Sequence, residues 1–290
     1  MCIRDRFIIN EYNSVMWNNV LFILEYCGFW RNYKMPNEEN YPEGVKVRSL
    51  YKAVKLLDYF NSAHPERGIS ELAELSGMLK SSVYNIMSTF ECCGVVEKDP
   101  KTSQYRLGLK ILEWSNALSQ NDVFGRVIRP FLEELTDRTG ETVFWATPYG
   151  TNIIYLEAAF PKGAMSVRSI KGVVAPMYCT SLGKAILSRM EPSMVEQVIA
   201  AGLEGFTPYT ITDAQRFREE IDHIRAVGYS VDNMEHEYGI KCVGVPICNG
   251  RNQVIGGISL SGPSLRFNEQ QIVEYAKLLN GYANQIRNRL

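Results

Sequence analysis

A chain of 290 residues with 46% hydrophobic content is long enough for two or three domains with proper cores. Its formal net charge of −1 sets aside a strongly basic protein, so any basic surface has to be local. Seven cysteines (Cys2, Cys27, Cys92, Cys93, Cys179, Cys242, Cys248) are odd in number and scattered without a CxxC pair, which sets aside a secreted disulfide scaffold in favour of reduced thiols in a cytoplasm.

Residues 1–34 do not match the rest of the chain. They hold Trp17, Phe22, Phe29 and Trp30 with no sustained period. The apolar run Val20–Leu24 is far below the about 20 residues that span a bilayer, and no A-x-A cleavage site comes after it. The hexamer MCIRDR resembles translated library-adapter sequence, and Met35 opens a second start. We therefore expect residues 1–34 to be foreign to the native protein, and residues 1–44 to form an extension.

Residues 45–107 read as a small DNA-binding module. Leu50, Ala53, Val54 and Leu57 fall at i, i+3, i+4, i+7 and predict a one-sided helix. Leu72 and Ala73 supply a second apolar face, and Gly77 stands where that helix would stop. Val83, Ile86, Met87 and Phe90 repeat the helical spacing, which leaves Lys80, Ser81, Ser82, Tyr84, Asn85 and Ser88 facing outward. Ser81 and Ser82 are expected to cap this helix or to offer hydroxyls and backbone N–H groups to a phosphate. Val95 and Val96 begin one strand, Tyr105 and Leu107 mark the next, and residues 98–103 form the turn between them. Two short helices around a tight turn, then a ribbon carrying Lys98, Lys101 and Arg106, outline a winged helix-turn-helix whose second helix enters the major groove. The same pattern would serve an inert helical hairpin with a solvated turn. Nine Lys/Arg against seven Asp/Glu give the module a charge of only +2, which implies few phosphate contacts per copy and favours two copies acting together.

A linker helix over residues 108–121 comes next, with Leu109, Leu112 and Leu118 on its apolar side. Residues 122–290 then mix strands and helices. A helix over about residues 123–139 carries Val127, Ile128, Phe131, Leu132 and Leu135. Thr142–Ala146 and Ile153–Glu157 are expected to pair across a turn at Pro148–Asn152, with Ser166–Ile170 as a third strand. Residues 181–190 read as helical. Thr212 with Gln215 forms a capping box for a helix over 213–227 that Gly228 ends. Val243–Ile247 and Val254–Leu260 pair across the turn 249–253, and Asn268 caps a last helix reaching Leu290. Ile272, Ala276, Leu279, Ala283, Ile286 and Leu290 line that helix as a seam, for packing within the chain or for self-association. This order of segments argues an α+β fold with an antiparallel sheet. No GxGxxG or Walker-type loop is present.

The phrases VRSLYKAVKLLDYF, ISELAELSGMLKSSVYNIM, EKDPKTSQYRLG, LTDRTGETV, CTSLGKAIL, IRAVGYSVD, GIKCVGVPI and IGGISLSGP run in order from Val47 onward. In this the chain resembles the IclR family of bacterial transcriptional regulators. The resemblance implies an N-terminal winged helix-turn-helix, a linker helix and a GAF-like ligand-binding domain with an antiparallel sheet. It also implies a homodimer or homotetramer on a palindromic operator in double-stranded DNA, joined through the DNA-binding half, where Leu112, Trp114 and Leu118 are the candidates. The family's recognition helix commonly carries arginine where this chain has Asn85, and asparagine prefers adenine edges. Repressor and activator stay equally open.

Position by position, the resemblance implies an effector site of Asp232, Cys242, Ser259, Ser261, Thr180, Ser181 and Leu182, with Val167 and Val174 closing its apolar side. Ser259 and Ser261 share one face of a strand, and two hydroxyls there can hold a carboxylate or a sugar hydroxyl; equally they can bond within the sheet. The implied effector is a small organic acid or related metabolite: an aromatic acid, a sugar acid, or a short keto or hydroxy acid. Phe144, Trp145, Tyr155, Phe160, Tyr178, Phe206 and Tyr209 leave room for a ring. Cys242 alone reads equally as a buried small hydrophobe, and Lys184 as a structural residue or a ligand clamp. No cofactor, metal, membrane or enzymatic activity is expected. A thiol enzyme built on Cys179, Cys242 and Cys248 lacks a histidine in the same motifs, since the three histidines are His64, His223 and His236. A third reading has the winged helix gripping protein in place of DNA.

Overall fold

The computed structural model describes residues 41–61, 63–120, 123–162 and 170–289. The expected foreign segment 1–34, residues 166–169 of the strand expected at Ser166–Ile170, and Val167 lie outside the described residues, and Ile170 is not in a strand. The chain divides into two compact units, Met1–Asn121 and Asp122–Leu290.

In the first unit, helix α1 (Arg48–Leu57) matches the predicted position but not the predicted face. Leu56 is fully buried with Tyr59 and Phe60, whereas Leu50 is 59% and Val54 50% exposed. Helical spacing marks an apolar face without saying whether its partner belongs to the same chain. Helix α2 (Ile69–Ser76) ends at Gly77, whose φ of 69° is the left-handed conformation that glycine adopts without cost. Helix α3 (Lys80–Cys92) buries Val83 and Met87 completely, with Ile86 and Phe90 partly buried beside them. Strands β1 (Glu66–Arg67), β2 (Val96–Lys98) and β3 (Tyr105–Leu107) form an antiparallel sheet in the order β1-β3-β2. The two-residue β1 carries no alternation to read. It is anchored by Arg67, whose Nε donates to the Tyr59 carbonyl at 2.9 Å and whose guanidinium pairs with Glu71. Helix α4 (Lys110–Gln120) leaves its apolar side open, with Leu112 65% and Leu118 75% exposed. Cys92 and Cys93, at the end of α3, are exposed.

The second unit is a six-stranded antiparallel sheet between two helical layers. Its strands are β4 (Thr142–Tyr149), β5 (Asn152–Ala159), β6 (Val174–Pro176), β7 (Ser230–Asn233), β8 (Ile240–Cys248) and β9 (Val254–Pro263), in the order β6-β5-β4-β9-β8-β7. The β4–β5 turn is tighter than expected: Tyr149 pairs with Asn152, so Pro148 and Asn152 are strand residues. Helices α5 (Val123–Thr139) and α9 (Glu269–Arg287) cover one face through Ile128, Leu132, Leu135, Leu279 and Ile286 against Val143, Val245 and Leu260. The last-helix seam from Ile272 to Ile286 is therefore spent inside this unit. Helices α6 (Ser181–Leu187), α7 (Pro192–Ala201) and α8 (Ala214–Val227) cover the other face. The cap of α8 is Asp213, whose carboxylate accepts the Arg216 N–H at 2.8 Å, and not Thr212. The two positions are adjacent, and a shift of one residue exchanges which side chain reaches the free amide. Asn268 caps α9 as expected, accepting from Gln271 N at 2.8 Å.

Candidate DNA-contacting face and effector site

Helix α3 begins at Lys80 with Leu79 in the cap position and no side-chain bond to the first turn. Ser81 and Ser82 therefore do not cap it. They sit in the first turn itself, past the point from which a hydroxyl reaches the leading N–H groups. Lys80, Ser81, Tyr84 and Asn85 are exposed, and Ser82 and Ser88 are half-buried on the same side. The wing turn is ordered by Asp99, whose carboxylate accepts Lys101 N at 2.6 Å and Thr102 N at 3.2 Å. Those backbone bonds hold the Asp99 carboxyl below its ordinary value, and Ser103 completes the turn at φ 59°. Lys101 is exposed at the tip. Lys98 Nζ lies 5.5 Å from the Tyr105 ring centre. Arg106 faces acid on both neighbouring strands, with Glu97 at 3.1 Å and Glu66 at 3.9 Å.

In the second unit, strand register sets the polar residues in rows. Asp232, Cys242 and Ser261 lie side by side across β7, β8 and β9, and the Cys242 thiol donates to Ser261 Oγ at 3.1 Å. The next row on the same face is Ser230, Gly244, Ser259 and Phe144. The start of α6 presses onto this row. Ser230 Oγ donates to the Ser181 carbonyl, and a Cβ on Gly244 would stand 2.8 Å from that same carbonyl. The fold thus brings Ser181, Asp232, Cys242, Ser259 and Ser261 together, all but Cys242 and Ser261 being nearly or wholly inaccessible. Thr180 is committed to the helix start, accepting Gly183 N at 3.1 Å and donating to the Pro176 carbonyl at 2.8 Å. Leu182 is buried in the apolar layer, and Val174 is half-buried on the edge strand β6. Phe144 meets Tyr155 at 5.4 Å and Phe160 at 6.3 Å, an aromatic wall next to the polar rows. Trp145 belongs to the opposite core, and Tyr178 and Phe206 pack in the layer of α6–α8. Tyr209 is exposed and stacks on Tyr238.

Residues that the sequence left open complete the electrostatics. Lys184 is fully buried and donates to Glu235 at 2.6 Å and to Glu220 at 2.9 Å. Burial works against its charge, yet the two carboxylates hold its pKa above the ordinary lysine value, so it is structural and not free to clamp a ligand. Asp232 Oδ1 accepts the N–H of Glu235 at 2.7 Å. Burial, reinforced by the charge of Glu235 and opposed by Lys184, pushes the Asp232 carboxyl up to about 7. Burial alone pushes His236 down to about 4, so its ring is neutral at pH 7. Burial also raises the Tyr155 hydroxyl, with Cys242 and Asp232 adding to the effect. The Cys179 and Cys242 thiols are raised well above their usual value by the same burial and by Asp232. Thiols so placed stay protonated, which is the reverse of what a nucleophile needs. Among the described residues no cluster of His, Cys, Asp and Glu could hold a metal ion, and no helix is long and apolar enough to cross a membrane.

Known proteins share this fold and domain order. The family model of the bacterial transcriptional regulator IclR C-terminal region matches residues 115–288, and that of the IclR helix-turn-helix domain matches residues 49–100. The transcriptional regulator KdgR of Escherichia coli K12 is 30% identical over 254 residues, 87% of this chain and 96% of that protein. The crystal structure of Thermotoga maritima IclR is 31% identical, with a TM-score of 0.61 over 84% of this chain and 98% of that one. An IclR homologue from Microbacterium hydrocarbonoxydans, solved in complex with 4-hydroxybenzoate, is alike in fold, with 21% identity and a TM-score of 0.68 over 83% and 98% of the two chains. These relatives are regulators and not enzymes. With both family models matched in order, one on the winged helix and one on the sheet domain, the chain belongs to the IclR family of transcriptional regulators, which pair a DNA-binding helix-turn-helix with a C-terminal effector domain.

Proposed function

We propose that the chain binds a palindromic operator as a homodimer, or as a homotetramer made of two such dimers, and releases or tightens its hold when a small organic acid occupies the C-terminal domain. Residues 45–107 form the operator module, 108–121 the linker and 122–290 the effector domain. Lys80, Ser81, Ser82, Tyr84, Asn85 and Ser88 enter the major groove, with Asn85 reading an adenine edge. Lys98 and Lys101 meet the backbone beside it, and Arg106 braces the wing while adding positive potential. One observation carries this reading: the exposed side of α3 is uncapped, polar and free of acid over its first two turns. A phosphate satisfies such a helix start. The apolar residues Leu50, Val54, Leu112, Trp114 and Leu118, exposed in the first unit, support pairing through the DNA-binding half. A DNA-bound regulator of this kind works in the cytoplasm.

The effector site comprises Ser181, Asp232, Cys242, Ser259 and Ser261, bounded by Thr180, Leu182 and Val174, with Val167 brought in by resemblance. Buried hydroxyls, a thiol and a carboxyl beside an aromatic wall suit a small acid that also carries a ring or hydroxyl groups; the 4-hydroxybenzoate held by the Microbacterium homologue is of that class. Ligand acts by favouring one arrangement of the paired modules over another, which requires unequal affinity for the two. Fluorescence anisotropy on the chain's own promoter region, with and without saturating acid, tests this. A shift in operator affinity with acid is expected. Equal affinity under both conditions would defeat the coupling, and salt-insensitive binding would defeat the DNA contact.

A further inference from the structure

We propose that an anionic effector enters this site together with one proton, which Asp232 takes up and then donates to the bound anion as a hydrogen bond. The inference rests on the effector reading above and concerns how the charge of that site is balanced. Asp232 is buried in the row with Cys242 and Ser261. Among the described residues, the groups around it supply no spare positive charge. From β5 and β8 it meets the hydroxyl of Tyr155 and the thiol of Cys242, both neutral. Ahead of α6 stands Cys179, another neutral thiol. Its own loop adds Glu235, Glu237 and the neutral ring of His236. The cation there, Lys184, is already held by Glu235 and by Glu220 of α8.

An anion added beside an ionised Asp232 would therefore place a further uncompensated charge in a low-dielectric interior, which is strongly unfavourable. Donors are also in short supply, because Glu235 Oε2 is buried with no hydrogen-bond partner among the described residues. A proton on Asp232 removes one negative charge and creates one donor. Its Oδ1 accepts backbone N–H groups of Glu235 and His236, so the proton belongs on Oδ2. The balance is simple: carboxylate, effector anion and a solvent proton give a carboxylic acid bonded to the bound anion, and an O–H bond is the sole bond formed. Because the free carboxyl titrates near 7, affinity should be flat below about pH 7 and should weaken about tenfold per unit above it.

The test uses the full chain and three probes: 4-hydroxybenzoate, gluconate and lactate. Calorimetry of the wild type in buffers of different ionisation enthalpy at about pH 8 should show uptake of close to one proton per bound acid, falling to none at about pH 6. In Asp232→Asn, which keeps the acceptor for the Glu235 amide, the acid affinity that is left, whatever its size, should show no proton uptake and a flat pH profile. Acid binding at about pH 8 without proton uptake by the wild type overturns the proposal and leaves the effector reading standing. Binding of none of the acids at either pH sinks the organic-acid reading and this proposal with it. Ligand-free melts give a separate readout. The raised carboxyl favours the folded state at low pH and loses that benefit as pH climbs from about 4 to about 7, so wild type should fall relative to Asp232→Asn across that window. Parallel melting profiles would overturn the proposal whatever the acids do.

Discussion

Replacing Lys184 by methionine would leave Glu235 and Glu220 facing each other inside the effector domain without a cation. Breaking a buried pair in this way costs about 3–5 kcal/mol, and urea unfolding of Lys184→Met should show a loss of that size. Glu220→Gln should cost less, since Glu220 is 27% exposed at the side chain while Glu235 is 6%. On the DNA side, Asn85→Ala should cost about 1–3 kcal/mol against the preferred operator and relax selection at one base pair. Lys80→Ala should weaken binding to all sequences alike and reduce the salt slope by about 1; binding to an operator and to scrambled duplexes across a salt series separates the two. Strand alternation alone sets Ser259 and Ser261 on one face, whereas Asp232, Cys242, Thr180, Ser181 and Leu182 enter the candidate effector cluster only through the family resemblance. What is not legible is Lys184 with Glu235, a contact spanning 51 positions. No local pattern announces a lysine that the fold will enclose completely.

Among elements, the helices with interior partners are the ones that periodicity places well. α3 buries Val83 and Met87 and α9 buries Ala276, Leu279, Ala283 and Ile286, all selected by spacing, because each helix lies on a core of its own unit. α1 and α4 have equally regular apolar spacing and yet expose it, since periodicity records that a face is apolar and not which molecule covers it. Short edge elements escape for a different reason: β1 has two residues and β6 three, too few for a period of two to register. The wing turn makes a separate prediction at this scale. Asp99→Ala removes the acceptor for two backbone N–H groups, so the tip should fray and Lys101 should lose its placement. Operator affinity should fall by less than about tenfold while the thermal midpoint barely moves, because the turn is solvent-exposed. A large drop in midpoint would instead assign Asp99 to the module's core stability.

For the whole molecule, the proposed operator binding by a module with a charge of only +2 would depend on two copies acting at once. Leu112→Glu combined with Leu118→Glu should give a monomer in analytical ultracentrifugation, and operator affinity should collapse although each winged helix stays folded by circular dichroism. An intact dimer in that variant would relocate the assembly surface. The bare start of α3 carries a consequence of its own. Leu79 occupies a backbone conformation suited to a capping residue, with φ −63° and ψ 138°, yet its aliphatic side chain satisfies none of the amides ahead of it. Leu79→Ser should therefore make the free protein more robust by about 1 kcal/mol while blunting its grip on the promoter. On the proposed reading, the aliphatic residue there leaves the polypeptide incomplete by itself, and a phosphate of the operator supplies the missing acceptor.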